Sequence, residues 1–324
     1  MSHSVSTWMR EWLLPSRTMR RRILPPAIGL VYIAAIALLG GLRPDHVLVG
    51  LLGMLDLYNE KTRLFLRLFF PFMATGAVYD SMRYFYWEGI AGRVHVAEPY
   101  FFEKRWFGVA GQTLNEFFAE HHWPALDLAC GFAYLVFVGE YLAVAFGLFF
   151  LRRNAMVRAL AVAFLVVNLL GFATYFLYPA APPWYVAQYG LGPAQLDIHP
   201  AAAAAGRFDA LLGTHFFDRV YGRGVDVYGA YPSLHVAYPR IALWAVFSEP
   251  KLRWARAPAA AFFALMCLSA VYLQHHYVTD VVLGVAYAAA AIGLVAQCSA
   301  ASASSAQPEA SGSPSAVASR SASA

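Results

Sequence analysis

Two histidines and an aspartate are the residues of this chain whose types and spacing best suit chemistry. His235 ends the segment Gly-Ala-Tyr-Pro-Ser-Leu-His, and His276 and Asp280 stand four residues apart in His-His-Tyr-Val-Thr-Asp. Residues four apart on a helix share one face, so His276 and Asp280 are predicted to point the same way. The pattern predicts an imidazole supported by a carboxylate, with a second imidazole brought in from elsewhere in the chain.

These residue types suit phosphoryl transfer. An imidazole can attack phosphorus and hold the phosphoryl group covalently, and a carboxylate one turn away holds its tautomer and stabilises its charged form. A second histidine can protonate the leaving oxygen and then take a proton from the incoming hydroxyl. We predict His276 as the nucleophile, Asp280 as its orienting group and His235 as the acid and base. This scheme requires no metal ion and no other cofactor.

The chain between the two histidines must bring them together. Two apolar stretches, about 234–249 and 257–273, are joined by a basic segment. If both cross a bilayer, the first leads away from His235 and the second returns to His276. The two histidines are then on the same side of the membrane, each at the start of a helix, where free backbone N–H groups favour a phosphate.

The two motifs resemble a known family. Pro-Ser-Leu-His (Pro232 to His235) and His276-x3-Asp280 resemble the second and third signature motifs of the lipid phosphate phosphatase/phosphotransferase superfamily, the type 2 phosphatidic acid phosphatases. Within it, the chain is most similar to the inositol phosphorylceramide synthase branch, through Pro-Pro-Trp-Tyr at 182–185 and the pair His275-His276. The resemblance covers about residues 126–297. It implies transfer of a phospho-headgroup, phosphoinositol, from a phosphoglycerolipid to ceramide or a related lipid alcohol through a phosphohistidine.

The chain also departs from the superfamily pattern. The first motif, a Lys and an Arg-Pro, has no match before His235, and the third opens with Ser269-Ala270 instead of Ser-Arg. The cations that grip phosphate in the phosphatases are therefore missing from their usual places. Arginines of the loop before His235 are candidates to replace them. The predicted substrate-binding set is Ser233, Trp184, Tyr185, Arg207, Arg223 and His275.

Composition excludes a soluble protein. Of the 324 residues, 60% are hydrophobic and only 13% are charged, about half the charged share of a soluble domain. The net charge is +5, and the basic residues lie in short clusters between apolar runs. This pattern indicates membrane topology rather than nucleic-acid binding. The three cysteines have no spacing typical of metal ligands. The expected partners are a lipid donor and a lipid acceptor, without nucleic acid, and the oligomeric state stays open.

The apolar runs predict an all-α, polytopic membrane helix bundle of about eight spans with a six-helix catalytic core. The run 47–58 has a marginal length for a crossing. It is counted because the basic clusters near 152–158 and 251–256 are both on the cytoplasmic side only if 43–63 contains one. We also expect Glu140, in the fourth span, to pair with Arg240.

The sequence divides into three parts. Residues 1–22 are predicted to be a cytoplasmic or interfacial segment, and 23–297 a membrane-embedded catalytic domain. This domain includes an outer interfacial segment at 87–125 and an outer loop at 179–233. Residues 298–324 are rich in Ser and Ala and predict a disordered tail. The predicted location is a bacterial inner membrane, with the active site on the non-cytoplasmic side.

Two alternatives remain beside the transferase. A lipid phosphate phosphatase with water as acceptor would use the same histidines, so the sequence barely separates it from a transferase. A transporter or scaffold that kept the fold and lost the chemistry is the alternative from another class. The presence of His235, His276 and Asp280 together argues against it.

Overall fold

The computed structural model describes residues 24–52, 54, 59–222, 224 and 226–305, and within them the chain is all-α, as predicted. The predicted segment 1–22 and the residues after 305 lie outside this description. The helices are α1 (Leu24–Leu38), α2 (Pro44–Leu52), α3 (Glu60–Ser81), α4 (Tyr86–Ile90), α5 (Ala97–Trp106), α6 (Leu114–Glu120), α7 (Pro124–Phe150), α8 (Asn154–Leu177), α9 (Pro183–Tyr189), α10 (Gly206–Leu212), α11 (Phe216–Tyr221), α12 (Leu234–Ser248), α13 (Arg256–Tyr272) and α14 (Val278–Ser305).

Four helical segments in the described part of the chain are long and apolar enough to cross a membrane. They are α7, α8, a unit of 23 residues at Pro250–Tyr272 that contains α13, and 21 residues of α14 at Val278–Cys298. About 20 residues are needed to span the hydrocarbon core. α3 has 22 residues but more charge, and α12 is shorter at 15. α14 runs on to Ser305, so its helix includes the first residues of the segment predicted to be a disordered tail.

Polar contacts attach the start of α2 to the end of α3. Arg43, just before α2, donates to Asp80 at the end of α3 (Nη2 to Oδ1, 2.8 Å), and His46 Nε2 lies 2.7 Å from the same carboxylate. The start of α3, capped by the Asn59 side chain, is about 33 Å away along a helix of this length. His46 and Asn59 therefore lie near opposite ends of α3. α2 itself has only nine residues, and the predicted crossing at 47–58 includes residues outside the described part of the chain.

The basic loops share the end of the bundle opposite to the histidines. Arg153, in the turn between α7 and α8, pairs with Glu249 at the end of α12 (Nε to Oε2, 2.7 Å). α7 and α8 end and begin at this turn, and α12 leads into it from His235. The clusters 152–158 and 251–256 are therefore on one side, as the span count predicted.

Two outer segments cover the other end. His95 N donates to Pro179 O at 2.8 Å, and Ala180 N donates to Tyr228 O at 2.9 Å. The first bond joins the segment 87–125 to the loop 179–233, and the second joins the two ends of that loop. Below them, α8 packs against α3, α12 and α14 through a side that includes fully buried Val157, Leu160 and Val167. The bundle thus holds the start of α12 and the start of α14 against one central helix.

Candidate active site

The two predicted catalytic histidines meet. His235 is the second residue of α12, and His276 lies in the short turn between α13 and α14. His235 Nδ1 is 3.1 Å from His276 Nε2, although 41 positions separate the two residues. The antiparallel path of α12 and α13, predicted from the apolar stretches, brings them to one end of the bundle.

The tautomer of His276 follows from its contacts. Its Nδ1 is 2.9 Å from the backbone oxygen of Ala230, and a carbonyl oxygen can only accept. Nδ1 therefore carries the proton, and Nε2 presents a lone pair towards His235. In this arrangement His235 Nδ1–H donates to His276 Nε2. Nε2, the nitrogen predicted to attack, is then unprotonated while His235 holds a proton, which is the arrangement that the predicted scheme requires before attack on phosphorus.

Asp280 connects the two helix starts. Its Oδ2 lies 3.4 Å from His276 Nδ1 and accepts from the Tyr277 backbone N–H at 2.8 Å. Its backbone oxygen accepts from Ser233 N at 3.0 Å. A Cβ on Gly284 would lie 2.2 Å from Ser233 O, so only a glycine lets α14 approach the start of α12 this closely. Asp280 thus orients His276 and holds it in register with His235.

A buried carboxylate from the outer segment caps α14. Glu103 is fully buried. Its Oε1 accepts from Val278 N at 2.8 Å, and its Oε2 accepts from the Thr279 hydroxyl at 2.8 Å and from Thr279 N at 3.2 Å. Burial raises the pKa of Glu103, while these three hydrogen bonds oppose the rise. A carboxylate at a helix N-terminus is stabilising. Glu103 therefore positions the helix that follows His276.

Asn115 completes this support. Its Nδ2 donates to Val271 O at 2.8 Å and to His276 O at 2.9 Å, which holds the turn between α13 and α14. Sequence reasoning missed both Glu103 and Asn115, because the segment 87–125 looks interfacial and lies far from the motifs. A signal was present for the helix that carries Asn115: Thr113 and Glu116 form the capping box that starts α6.

His275 is enclosed by aromatic rings. Tyr221 stacks on it at a centroid distance of 4.5 Å and Tyr134 at 5.0 Å. Tyr134 also stacks on His235 at 4.4 Å. Burial lowers the pKa of His275 to about 3, so its imidazole is neutral, and its Nε2 is buried without a hydrogen-bond partner among the described residues. His275 is therefore able to exchange one hydrogen bond with a bound substrate.

A cavity of about 660 Å³ opens beside the histidines. We call His235, His275 and His276 its catalytic wall. The facing side, which we call the apolar wall, is formed by side chains of α3 and α7. It consists of Phe72, Thr75, Gly76, Leu135, Val138 and Leu142. The cavity therefore combines a small polar region with a long apolar one, which matches a phosphate carried on a lipid.

The predicted substrate-binding residues divide by position. Trp184 and His275 line the cavity, and Trp184 N donates to Gln274 O at 3.1 Å. Tyr185 lies away from it, and its hydroxyl accepts from Gln195 N at 2.9 Å. Ser233 does not line the cavity, and its hydroxyl is buried without a hydrogen-bond partner in the described structure. Tyr185 therefore contacts the loop backbone through its hydroxyl, and Ser233 contacts Asp280 through its backbone N–H.

Arg207 is engaged in an ion pair. Its Nε donates to Asp127 Oδ1 at 2.6 Å, and its guanidinium lies over the Tyr272 ring at 5.0 Å from the centroid. It is not among the residues that line the cavity, so the structure places this cation outside the chamber where we predicted it to meet phosphate. Arg223 lies outside the described residues, and its predicted role stays a prediction.

The expected pairing of Glu140 with Arg240 is wrong. No ion pair joins them in the part of the chain that the structure describes, and Glu140 Oε2 is buried without a hydrogen bond there. The neighbouring Tyr141 turns into the core and donates to Leu160 O at 2.7 Å. The Tyr141 contact fixes the rotation of α7 about its axis, so the Glu140 side chain does not point towards Arg240.

Within the described ranges, no group of three histidine, cysteine, aspartate or glutamate side chains is arranged to hold a metal ion. His122 Nδ1 lies 3.3 Å from Asp127 Oδ2.

Comparisons with known proteins agree with the site. The family model described as "PAP2 superfamily" matches residues 100–294. A phosphoinositol dihydroceramide synthase of Bacteroides thetaiotaomicron is 37% identical over 258 residues, which cover 76% of this chain and 82% of that protein. The catalytic subunit of inositol phosphorylceramide synthase from Saccharomyces cerevisiae is 35% identical over 122 residues, 36% of this chain and 29% of the yeast protein. No solved structure matches.

Proposed function

Because this chain belongs to the PAP2 superfamily, we propose that it is a membrane lipid phosphotransferase that moves phosphoinositol from a phosphoglycerolipid to ceramide or dihydroceramide. The observation that carries the proposal is the contact of 3.1 Å between His235 Nδ1 and His276 Nε2 at the head of a lipid-sized cavity. The names of the similar proteins support the headgroup and the acceptor. The geometry supports the chemistry.

The first half-reaction transfers the headgroup to the enzyme. The donor phosphate enters between the imidazoles, and His276 Nε2 attacks phosphorus as the bond to the diacylglycerol oxygen breaks. With the phosphodiester anion beside it, His235 carries protons on both ring nitrogens. Its Nδ1–H gives its proton to that oxygen, diacylglycerol leaves, and His235 becomes a neutral imidazole. The Nδ1–H of His276 stays directed at Ala230 O and Asp280, which stabilises the positive charge on the phosphorylated ring.

The second half-reaction uses the same groups in reverse. His235, now neutral and with a free lone pair on Nδ1, takes the proton of the acceptor hydroxyl, and the oxygen attacks phosphorus. The bond between phosphorus and His276 Nε2 breaks and regenerates the resting enzyme. Water in place of the lipid alcohol would give hydrolysis, so the apolar wall has to favour the lipid.

The basic clusters support an orientation. Arg153 and the cluster 251–256 mark the end of the bundle away from the histidines, and such clusters face the cytoplasm in membrane proteins. We therefore infer an active site on the non-cytoplasmic side, and we propose a bacterial inner membrane as the location.

The test uses purified full-length protein in nanodiscs with phosphatidylinositol labelled in its headgroup, together with ceramide. The expected result is a labelled sphingolipid that depends on ceramide and on His276. Release of labelled inositol phosphate into water, without lipid product, would replace the transferase with a phosphatase. Absence of any turnover, with intact protein, would leave only a non-catalytic role and overturn the proposal.

A further inference from the structure

One charged residue of the cavity takes no part in the chemistry above. Asp226 lies in the outer loop ten residues before Val236 and lines the same cavity as His276. Its side chain is partly buried.

The Asp226 carboxylate has fewer partners than an enclosed carboxylate needs. Its one hydrogen bond to another described residue comes from the Tyr79 hydroxyl of α3, which donates to Oδ1 at 2.9 Å. No arginine, lysine or histidine of the described chain forms an ion pair with it. A carboxylate has about four acceptor positions, and burying it without donors is costly. Burial accordingly raises the pKa of Asp226.

The backbone places this carboxylate against the segment that holds His276. A Cβ built on Gly229 would lie 1.9 Å from Asp226 Oδ2, so the carboxylate occupies the space that a side chain at 229 would fill. The next residue, Ala230, accepts the hydrogen bond from His276 Nδ1. The Asp226 carboxylate therefore lies against the backbone segment that binds His276, in the cavity that His276 also lines.

We propose that Asp226, supported by Tyr79, is a specificity-determining residue that accepts hydrogen bonds from the hydroxyls of a polyol headgroup attached to the transferred phosphate. This inference rests on the proposed function and extends it, because it assigns the part of the site that distinguishes a phosphoinositol donor from other phosphoglycerolipids. A carboxylate with vacant acceptor positions pairs well with neighbouring O–H donors. A site built to bond hydroxyls rejects analogues that lack them.

The test measures binding separately from turnover. Myo-inositol 1-phosphate and inorganic phosphate are titrated into full-length protein in nanodiscs, for the wild type and for Asp226→Asn. Loss of a charged hydrogen bond is expected to raise the Kd of inositol phosphate on the order of tenfold or more. The Kd of inorganic phosphate should stay the same. In the transfer assay the same variant should raise KM for phosphatidylinositol more than it lowers kcat.

Two further variants serve as a control and as an independent test of the Asp226 site. Asp197→Asn removes a carboxylate from the same loop at an exposed position away from the cavity, and should change neither Kd. Tyr79→Phe removes the hydrogen bond to Asp226 and should weaken inositol phosphate binding about threefold. It also tests the proposal if Asp226→Asn fails to fold.

The outcomes separate the two proposals. An unchanged preference for inositol phosphate over inorganic phosphate in folded Asp226→Asn or Tyr79→Phe overturns the role of Asp226, whether or not the wild type makes a sphingolipid. Equal loss of binding for both ligands assigns Asp226 to general site structure and also overturns it. A wild type that binds inositol phosphate selectively but forms no lipid product contradicts the proposed function alone.

Discussion

The two walls of the cavity are built in different ways. The catalytic wall is held by backbone bonds and buried caps: Ala230 O on His276, Asp280 O on Ser233 N, and Glu103 on the start of α14. The apolar wall of α3 and α7 presents side chains such as Phe72 and Val138, which carry no polar atoms. The difference indicates that the chemistry depends on main-chain geometry, whereas lipid fit depends on side-chain volume.

Changes in the catalytic wall should have the largest effect. His276→Ala removes the nucleophile and should lower kcat on the order of 10⁴-fold or more, with no labelled enzyme intermediate. His235→Ala should cost about 10²–10⁴-fold with phosphatidylinositol. It should recover much of this with an inositol phosphodiester of nitrophenol, whose leaving group needs no proton. Equal loss with both donors would contradict the assigned roles.

A change one layer behind that wall should have an intermediate effect. Glu103→Gln keeps the volume but replaces an acceptor oxygen with an amide N–H₂ that faces Thr279. A small displacement of His276 should lower kcat about 10- to 100-fold, with KM nearly unchanged. Glu98→Gln, on the same helix but exposed, is the matched control. A rise in KM without loss of kcat would show that Glu103 acts on binding instead.

A change in the apolar wall should affect the lipid rather than the chemistry. Val138→Trp fills part of the cavity and should raise KM for ceramide about fivefold or more, because overpacking costs about 1–3 kcal/mol, while kcat at saturation stays within about twofold. Phe132→Trp lies on the same helix at an exposed position outside the cavity and should be silent. Equal effects of the two would contradict the assignment of this wall.

The last prediction concerns stability at acid pH rather than turnover. Because burial lowers the pKa of His275 to about 3, the unfolded chain binds a proton below pH 6.5 that the folded chain does not. Stability is therefore lost as pH falls from about 6.5 towards 3, by up to about 1.4 kcal/mol per pH unit. His275→Phe should flatten this part of the Tm–pH curve. An unchanged slope would show that His275 does not carry it.

The sequence predicted the catalytic wall better than its supports. His235 and His276 meet because two apolar stretches between motifs force a hairpin, and Asp280 follows from helical spacing. Glu103 contacts α14 across more than 170 positions, and no local pattern indicates such a contact. The Glu140–Arg240 pairing failed because the rotation of α7 is set by the packing of Tyr141, which hydropathy does not show. Arg207 was predicted from its charge, but its position depends on the loop fold that pairs it with Asp127.

Gly284 gives this architecture one further consequence. Because Gly284 has no side chain, the backbone of α14 packs directly on the backbone at Ser233. The distance between the ring nitrogens of His276 and His235 is therefore fixed by main-chain packing, not by the side chains that face the substrate. Substitutions in the cavity lining can therefore change which lipid or headgroup binds while the distance between the two histidines stays the same.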